Sequence, residues 1–440
     1  MVRARPISKR FSKHYPSDSE ASDRNSSPHP ALDRTLILFD DAVARRWEPF
    51  ALTRPAGELL FGTLTLRARS ERALGAKCVC HLAAEHLVGF EEPGAPPVVR
   101  GEPPDDATER IYLSSRFVPD WPSERNVPSF VEGPIRTADD AVVGWFAPRG
   151  APAPSEDFLL DPQNAAAPAE GANVADGQVL GHVWQLIHGN AEQVARDVEG
   201  MGVSGVADPL PSGAHQWGKH RLAVGPGATI EPGAAFDTSE GPIWIDRDAT
   251  VRAFTRLVGP AYVGPGSIVL GGAVEAVSLG PVCRVRGELA ESVCVGYVNK
   301  QHDGHIGHAY LGRWVNLGAE TTNSDLKNNY GTIRVWTPDG EIDTDEMKLG
   351  SLIGDHVKTG IGLLLNTGTV IGAGSNLYGA EMPPKYVPPF SWGSGDELLE
   401  YRLDKFLEVA EVAMSRRGIE FSDGLRDQLG NAWRRGRAAK

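Results

Sequence analysis

The sequence is poor in cysteine, has no long apolar run and carries no excess of positive charge, and each shortage excludes a class. Four cysteines in 440 residues (Cys78, Cys80, Cys283 and Cys294) are too few for a disulfide framework. Cys78-Val79-Cys80 also lacks the CxxC spacing of a zinc or redox pair. A reducing cytoplasm is the simplest location for such a chain. No uninterrupted apolar stretch approaches the ~18 residues of a membrane span. The net charge of −13 argues against nucleic acid or an anionic membrane as the main partner. The first 34 residues hold no apolar core for a secretory signal, and Asp18, Glu20 and Asp23 fit a transit peptide poorly. They read as a disordered tail.

Glycine and proline, by contrast, are abundant, at 50 and 33 residues, which points to a turn-dense, β-rich segment. Hydrophobic residues make up 41%, enough to bury real cores. The length, set against ~150 residues for an average domain, predicts two or three domains. Strand-like runs occur at TLILFDD from Thr35, at Lys77–His81 and at Glu109–Leu113, with helical material around Glu58–Leu74. Val183, Ile187, Ala191, Val194 and Val198 share one face of a predicted helix at 181–199, with Gly189 in its middle.

From Leu222 the sequence acquires a six-residue period. Val224, Ile230 and Phe236 keep it, as do Ile245, Val251, Leu257, Val263 and Val269. The phase returns at Ile353, Thr359, Leu365, Ile371 and Leu377, with only Thr359 polar. Small residues follow the apolar ones, as in VGPGAT, VGPGSI and IGAGSN. One aliphatic side chain per flat face points inward and small residues turn the corners, which is the hexapeptide pattern of a parallel β-helix with coils of about 18 residues. GTIRVWTPDGEIDT (331–344) alternates and contains Asp-Gly, so it reads as a hairpin protruding from the coil. Ser394-Gly-Asp-Glu397 reads as a capping box opening a helix that ends at Gly418, and residues 419–440 as a basic loose tail.

The densest polar cluster runs from Asn299 through Lys300, His302, His305 and His308 to Tyr310, followed by Arg313, Asn316 and the stretch 321–331. Packing a hexapeptide array does not require such residues. A histidine there titrates near neutral pH and is suited to act as a general base, in a cleft where neighbouring subunits meet. Satisfied surface or corner histidines are the bland alternative. His302, His305 and His308 are three apart and alternate faces on a strand, so they do not converge on one metal within a chain. An interface between chains can still collect histidines, and a zinc-dependent hydratase of the hexapeptide class stands as an alternative.

Residues 284–330 resemble the acetyltransferase half of the bifunctional glucosamine-1-phosphate N-acetyltransferase/N-acetylglucosamine-1-phosphate uridyltransferase family, whose pattern includes His-Leu-x-Tyr-(Leu/Val)-Gly, (Val/Ile)-Asn-Ile-Gly-Ala-Gly-Thr and Asn-Tyr-Asp-Gly. Aligning VNLGAET and counting back puts His302 on the family's catalytic histidine, His305 on its following tyrosine and Asn316 on the asparagine. Arg286 and Lys300 fall on the basic residues that hold the sugar phosphate, and Asn329 and Tyr330 on the Asn-Tyr pair. Histidine replaces tyrosine at 305, the proline of Arg-Pro-Gly is absent, and extra residues precede Asn329. Phe39-Asp40-Asp41, Thr53-Arg54-Pro55, Gly62–Leu66 and the helix around 181–190 resemble a divergent sugar nucleotidyltransferase family that pairs with this kind of β-helix. The glycine-rich phosphate loop of ordinary sugar nucleotidyltransferases is missing, so Arg45, Arg46 and Arg54 would supply charge, and Asp40 or Asp41 would hold Mg²⁺.

The resemblance implies an α/β plus all-β chain. A degenerate nucleotidyltransferase-like (Rossmann-like) domain at 35–205 would precede a left-handed parallel β-helix at 220–385 and a C-terminal helix at 394–418. It further implies a homotrimeric acyltransferase of nucleotide-sugar (UDP-N-acetylglucosamine-type) and cell-wall biosynthesis. His302 would be the base, acetyl-CoA the donor and an amino sugar 1-phosphate the acceptor, with nucleotidyl transfer from UTP or another NTP in the front domain. A non-catalytic sugar-nucleotide-binding protein, trimerised by its β-helix, is the other reading.

Overall fold

The computed structural model describes residues 34–101, 107–122, 130–165, 173–203 and 210–438, so the expected tail lies outside the described residues except for Arg34. The front domain is built on a six-stranded sheet ordered Lys77–Leu82, Arg34–Phe39, Glu109–Ser114, Val142–Ala147, Gly133–Arg136, Asn173–Val174. The first three strands are parallel and the next two pairings antiparallel. Leu36, Ile37, Leu38 and Phe39 are all buried, as a parallel strand covered on both faces requires. The helical material expected at 58–74 is split: a tight hairpin pairs Leu60–Phe61 with Leu64–Thr65 through Gly62 (φ 67°), and the helix is Leu66–Leu74. The 181–199 helix breaks at Gly189 into Gln185–His188 and Asn190–Gly200.

The six-residue period folds as a parallel β-solenoid. One face stacks nine strands, from Leu222–Val224 to Tyr386–Val387. Val251, Leu257, Val263, Val269, Ile353 and Ile371 are fully buried in its interior. Thr359 also points inward, and its hydroxyl pairs with that of Thr321 at 2.7 Å, which removes the cost of a polar group there. Coil length is not constant. Ile243 pairs with Ala261, Ser278 with Val293, Val293 with Tyr310 and Tyr310 with Leu352, giving coils of 18, 15, 17 and 42 residues. The long coil carries the expected hairpin, Arg334–Thr337 against Gly340–Asp343.

Two C-terminal expectations are corrected. Ser394 and Glu397 do not cap a helix: they flank a two-residue Gly395-Asp396 turn between strands Ser391–Ser394 and Glu397–Glu400. The last rung of the solenoid offers an open ladder edge, and pairing it outweighs a local cap. The helix starts at Leu403 and ends at Ser415. Residues 423–438 are not a loose tail but a second helix, burying Leu425, Gln428, Leu429 and Ala432.

The two domains share one apolar interface. On the nine-stranded face, side chains next to the inward ones point outward, and Val293, Val295, Tyr310, Leu352 and Val370 are apolar there. Trp47, Phe50, Leu60, Phe61 and Leu186 of the front domain cover them, together with Ile333 and Val335 of the hairpin. Polar pins complete the joint. Tyr310 Oη donates to Leu60 O at 2.9 Å, and Ser278 Oγ to Gly62 O at 2.6 Å. Asp355, at a solenoid corner, accepts from Arg313 N (2.8 Å), Thr53 Oγ1 (2.9 Å) and Arg54 Nε (2.9 Å). Against its burial, Arg54 holds the Asp355 carboxyl below its ordinary range.

Asp355→Ala should leave the Arg54 guanidinium, which is only 2% exposed, with Glu92 as its remaining carboxylate and destabilise the protein by about 1–3 kcal/mol in urea unfolding at neutral pH. A loss under about 1 kcal/mol would show the pin to be dispensable.

Candidate functional site

The sequence-predicted acyl-transfer residues all lie on the coils around 284–330, but in different environments. His302 is exposed, and its carbonyl accepts from Lys300 Nζ at 3.0 Å. Lys300 is 2% exposed, donates also to Arg286 O (2.7 Å), and burial pulls its pKa down to about 8. Its ammonium is therefore committed to two backbone carbonyls. Arg286 is exposed, with Nε 3.2 Å from Asp303 Oδ1. Asn316 Oδ1 accepts from Asn299 Nδ2 at 2.5 Å, one coil below. Asn329 and Tyr330 are exposed on the insertion-bearing coil.

His305 and His308 form the most organised polar group of the solenoid, because they share the carboxylate of Asp325. His308 Nδ1 lies 2.8 Å from Asp325 Oδ2 and its Nε2 3.0 Å from Glu291 Oε2. His305 Nδ1 lies 3.2 Å from Glu288 Oε1 and its Nε2 3.9 Å from Asp325 Oδ2. Backbone pairing of Glu288 with His305 stacks that pair on neighbouring coils. Asn323, 1% exposed, clamps Gly307 from both sides, accepting from its N–H (3.0 Å) and donating to its carbonyl (2.9 Å). Gly307 has no spare room: a Cβ would meet Asp325 Oδ2 at 2.5 Å and His305 Nε2 at 2.7 Å. From the front domain, the His188 ring stands 6.2 Å from that of His308, with Nδ1 3.8 Å from Glu346.

The electrostatics separate the two histidines. Despite burial, Asp325 and Glu291 push His308 up to about 9, so it is a fixed cation at neutral pH. Asp325 and Glu288, against a smaller burial effect, raise His305 above the usual histidine value. His305 is half-buried and keeps an open edge, whereas His308 is nearly sealed. Sequence reasoning missed Asp325, Asn323, Glu288 and Glu291. The placement of His302 rests on counting back from Asn316 along the sequence. Anchored on Tyr310-Leu311-Gly312, the same pattern's histidine falls at Gly307, next to His308. Among the described residues, no three His, Cys, Asp or Glu side chains stand where they could hold one metal ion.

In the front domain the acidic pair follows the central strand, at the carboxyl edge where open α/β sheets bind ligands. Asp41 is 2% exposed and gripped by Arg116, whose Nε and Nη2 lie 2.9 and 2.6 Å from its oxygens. Asp40, also 2% exposed, accepts from Ala56 N at 3.1 Å, and burial raises its pKa. A guanidinium occupies the place beside Asp41 that a Mg²⁺ ion would need, so the pair does not fit that cation. Arg54 is likewise answered by Asp355 and by Glu92 (2.7 Å), leaving little charge for a phosphate. Arg46 pairs with Asp339 of the hairpin.

The His308 contacts predict a pH signature. Its raised pKa contributes stability that is fully present below about 6.5 and is lost as pH climbs through about 9, up to about 3 kcal/mol. Urea midpoints from pH 6 to 10 should fall over that window, and the fall should vanish in His308→Gln.

Comparison with known proteins finds a family match in the front domain. Residues 36–202 match the sugar nucleotidyl transferase family. A bifunctional sugar-1-phosphate nucleotidylyltransferase/acetyltransferase of Sulfurisphaera tokodaii is 29% identical over 151 residues, 32% of this chain and 36% of that one. The match thus spans about a third of that relative's length. Among solved structures, the polySia specific acetyltransferase NeuO aligns over 45% of this chain and 97% of its own, at 11% identity and a TM-score of 0.25. The Arabidopsis UDP-N-acetylglucosamine acyltransferase aligns over 47% and 77%, at 12% identity and a TM-score of 0.21. The chain thus joins a front domain that matches the sugar nucleotidyl transferase family over residues 36–202 to a parallel β-solenoid.

Proposed function

We propose that the solenoid transfers an acyl group from an acyl-CoA, acetyl-CoA in the simplest case, to the amine of an amino sugar 1-phosphate. The observation that carries this reading is His305, a half-open imidazole oriented by Glu288 and Asp325 on the coils that also hold Arg286, Asn299 and Asn316. His305 is oriented where the exposed His302 is not, and giving up the longer contact, 3.9 Å from Nε2 to Asp325, frees that nitrogen to take a proton. His305 takes the proton of the substrate ammonium. The freed amine attacks the thioester carbonyl, the C–N bond forms as the C–S bond breaks, and the second proton given up by the nitrogen leaves on the CoA sulfur as the thiol. Arg286 can exchange its exposed partner Asp303 for the sugar phosphate at little cost, since such a surface pair is worth about 0–1 kcal/mol. A homotrimer, with a neighbouring solenoid supplying the groove for the CoA arm, completes the reading.

A second reading concerns the front domain. Asp41 and Arg54 are tied to Arg116 and Asp355, and Trp47 and Phe50, in the segment after the central strand, are buried against the solenoid. These observations favour a domain that binds a sugar nucleotide over one that transfers a nucleotidyl group from UTP.

Thiol release from acetyl-CoA in the presence of glucosamine 1-phosphate tests the main reading. His305→Ala should lower kcat by about 10²–10⁴-fold and His302→Ala by less than about tenfold. The opposite order would return the base to His302, and no release across several amino sugar phosphates would defeat acyl transfer altogether. Because His305 is raised, kcat/KM should climb along a limb centred above pH 6.5, and that limb should move down in Glu288→Gln.

A further inference from the structure

Three parts of the chain that never meet in sequence enclose a cavity of about 480 Å³: the loop around residues 90–97, one corner of the solenoid, and the two C-terminal helices. The corner is unusual. Tyr297, Trp314 and His356 occupy the same position on successive coils, all with left-handed backbone (φ 55°, 64° and 60°), a position held on other coils by Asp248, Gly266, Val282, Gly374 and Phe390. Bulky residues in that region are strained, and here the strain builds a ring column. The Tyr297 and Trp314 rings stack at 4.1 Å and 18°, and Trp314 and His356 at 6.2 Å and 19°. Phe90 faces them across the cavity wall, and Met414, Leu425 and Leu429 make its apolar floor.

The polar lining has a definite sign. Two guanidiniums, Arg54 and Arg313, line the cavity, but Asp355 and Glu92 answer both. Glu91 and Glu420 add two more carboxylates, while burial keeps His356 neutral by lowering it to about 3. The wall is therefore net negative. Arg54 Nη1, His356 Nδ1 and Gln428 Oε1 belong to lining residues that are 2%, 6% and 1% exposed, and these atoms find no hydrogen-bond partner among the described residues. These atoms are sealed from the cavity itself and come within reach of an occupant only after a side-chain rotation.

We infer that this cavity binds a flat aromatic or heteroaromatic ring that is neutral or carries a single positive charge. The ring would lie against the Tyr297–Trp314 column. The carboxylates of Glu91, Glu92, Asp355 and Glu420 would repel phosphorylated or carboxylated relatives. The acyl-transfer reading uses none of its lining residues, and Arg54, which the sequence offered to a nucleotide phosphate, is held here by Asp355 and Glu92.

Paired probes of opposite charge test it with the full chain by titration calorimetry: tryptamine against indole-3-acetate, and adenosine against adenosine monophosphate. Tryptamine and adenosine should each bind at least about tenfold more tightly than the anionic partner. Trp314→Leu should weaken both by about tenfold, Trp314→Phe should retain them, and thermal unfolding of each variant reports whether the fold is kept. Absence of binding by both favoured probes (a water-filled gap), equal affinity for the anions, or unchanged affinity in a folded Trp314→Leu protein would each overturn the assignment.

Discussion

A prism face cannot leave Val293, Val295, Tyr310, Leu352 and Val370 in water, and covering them is the constraint on which the arrangement of this molecule rests. The front domain meets it with the segment that follows its central strand. In an ordinary sugar nucleotidyltransferase, glycine there lets the backbone approach a phosphate. Here Trp47, Phe50 and Phe61 stand in that region, buried against the solenoid. The segment after the strand thus carries the apolar side chains of the joint and no glycine-rich loop.

The charges near the joint follow the same logic. A buried guanidinium needs a partner, and Arg54 finds Asp355 of the solenoid and Glu92 of its own domain. Asp41 finds Arg116. Residues that could serve a nucleotide when exposed become structural once the interface closes over them. The acyl-transfer side behaves differently: its carboxylates and histidines sit on an open solenoid face, so His305 keeps an edge free while His308 is locked as a cation.

The legibility of this chain differed by element. The inward positions of the solenoid, from Phe236 to Leu377, were readable because one buried aliphatic per face repeats regardless of what surrounds the prism. The hairpin at 331–344 was readable from Asp-Gly and alternation. The capping box at Ser394–Glu397 misled, since the same four residues make a two-residue hairpin when an open rung is next to them. The helix at 423–438 was hidden because its buried stripe is sparse, set among arginines and broken by Gln428.

By itself the sequence determined the six-residue beat, hence the prism, and the residue types offered around 286–330. That information is local, because each coil repeats the same inward choice. Only the tertiary structure decided which histidine is oriented, since Glu288, His305 and Asp325 meet across coils of unequal length. It alone also decided that Asp41 and Arg54 are paired within the protein, because their partners lie 75 and 301 residues away and no spacing rule connects them.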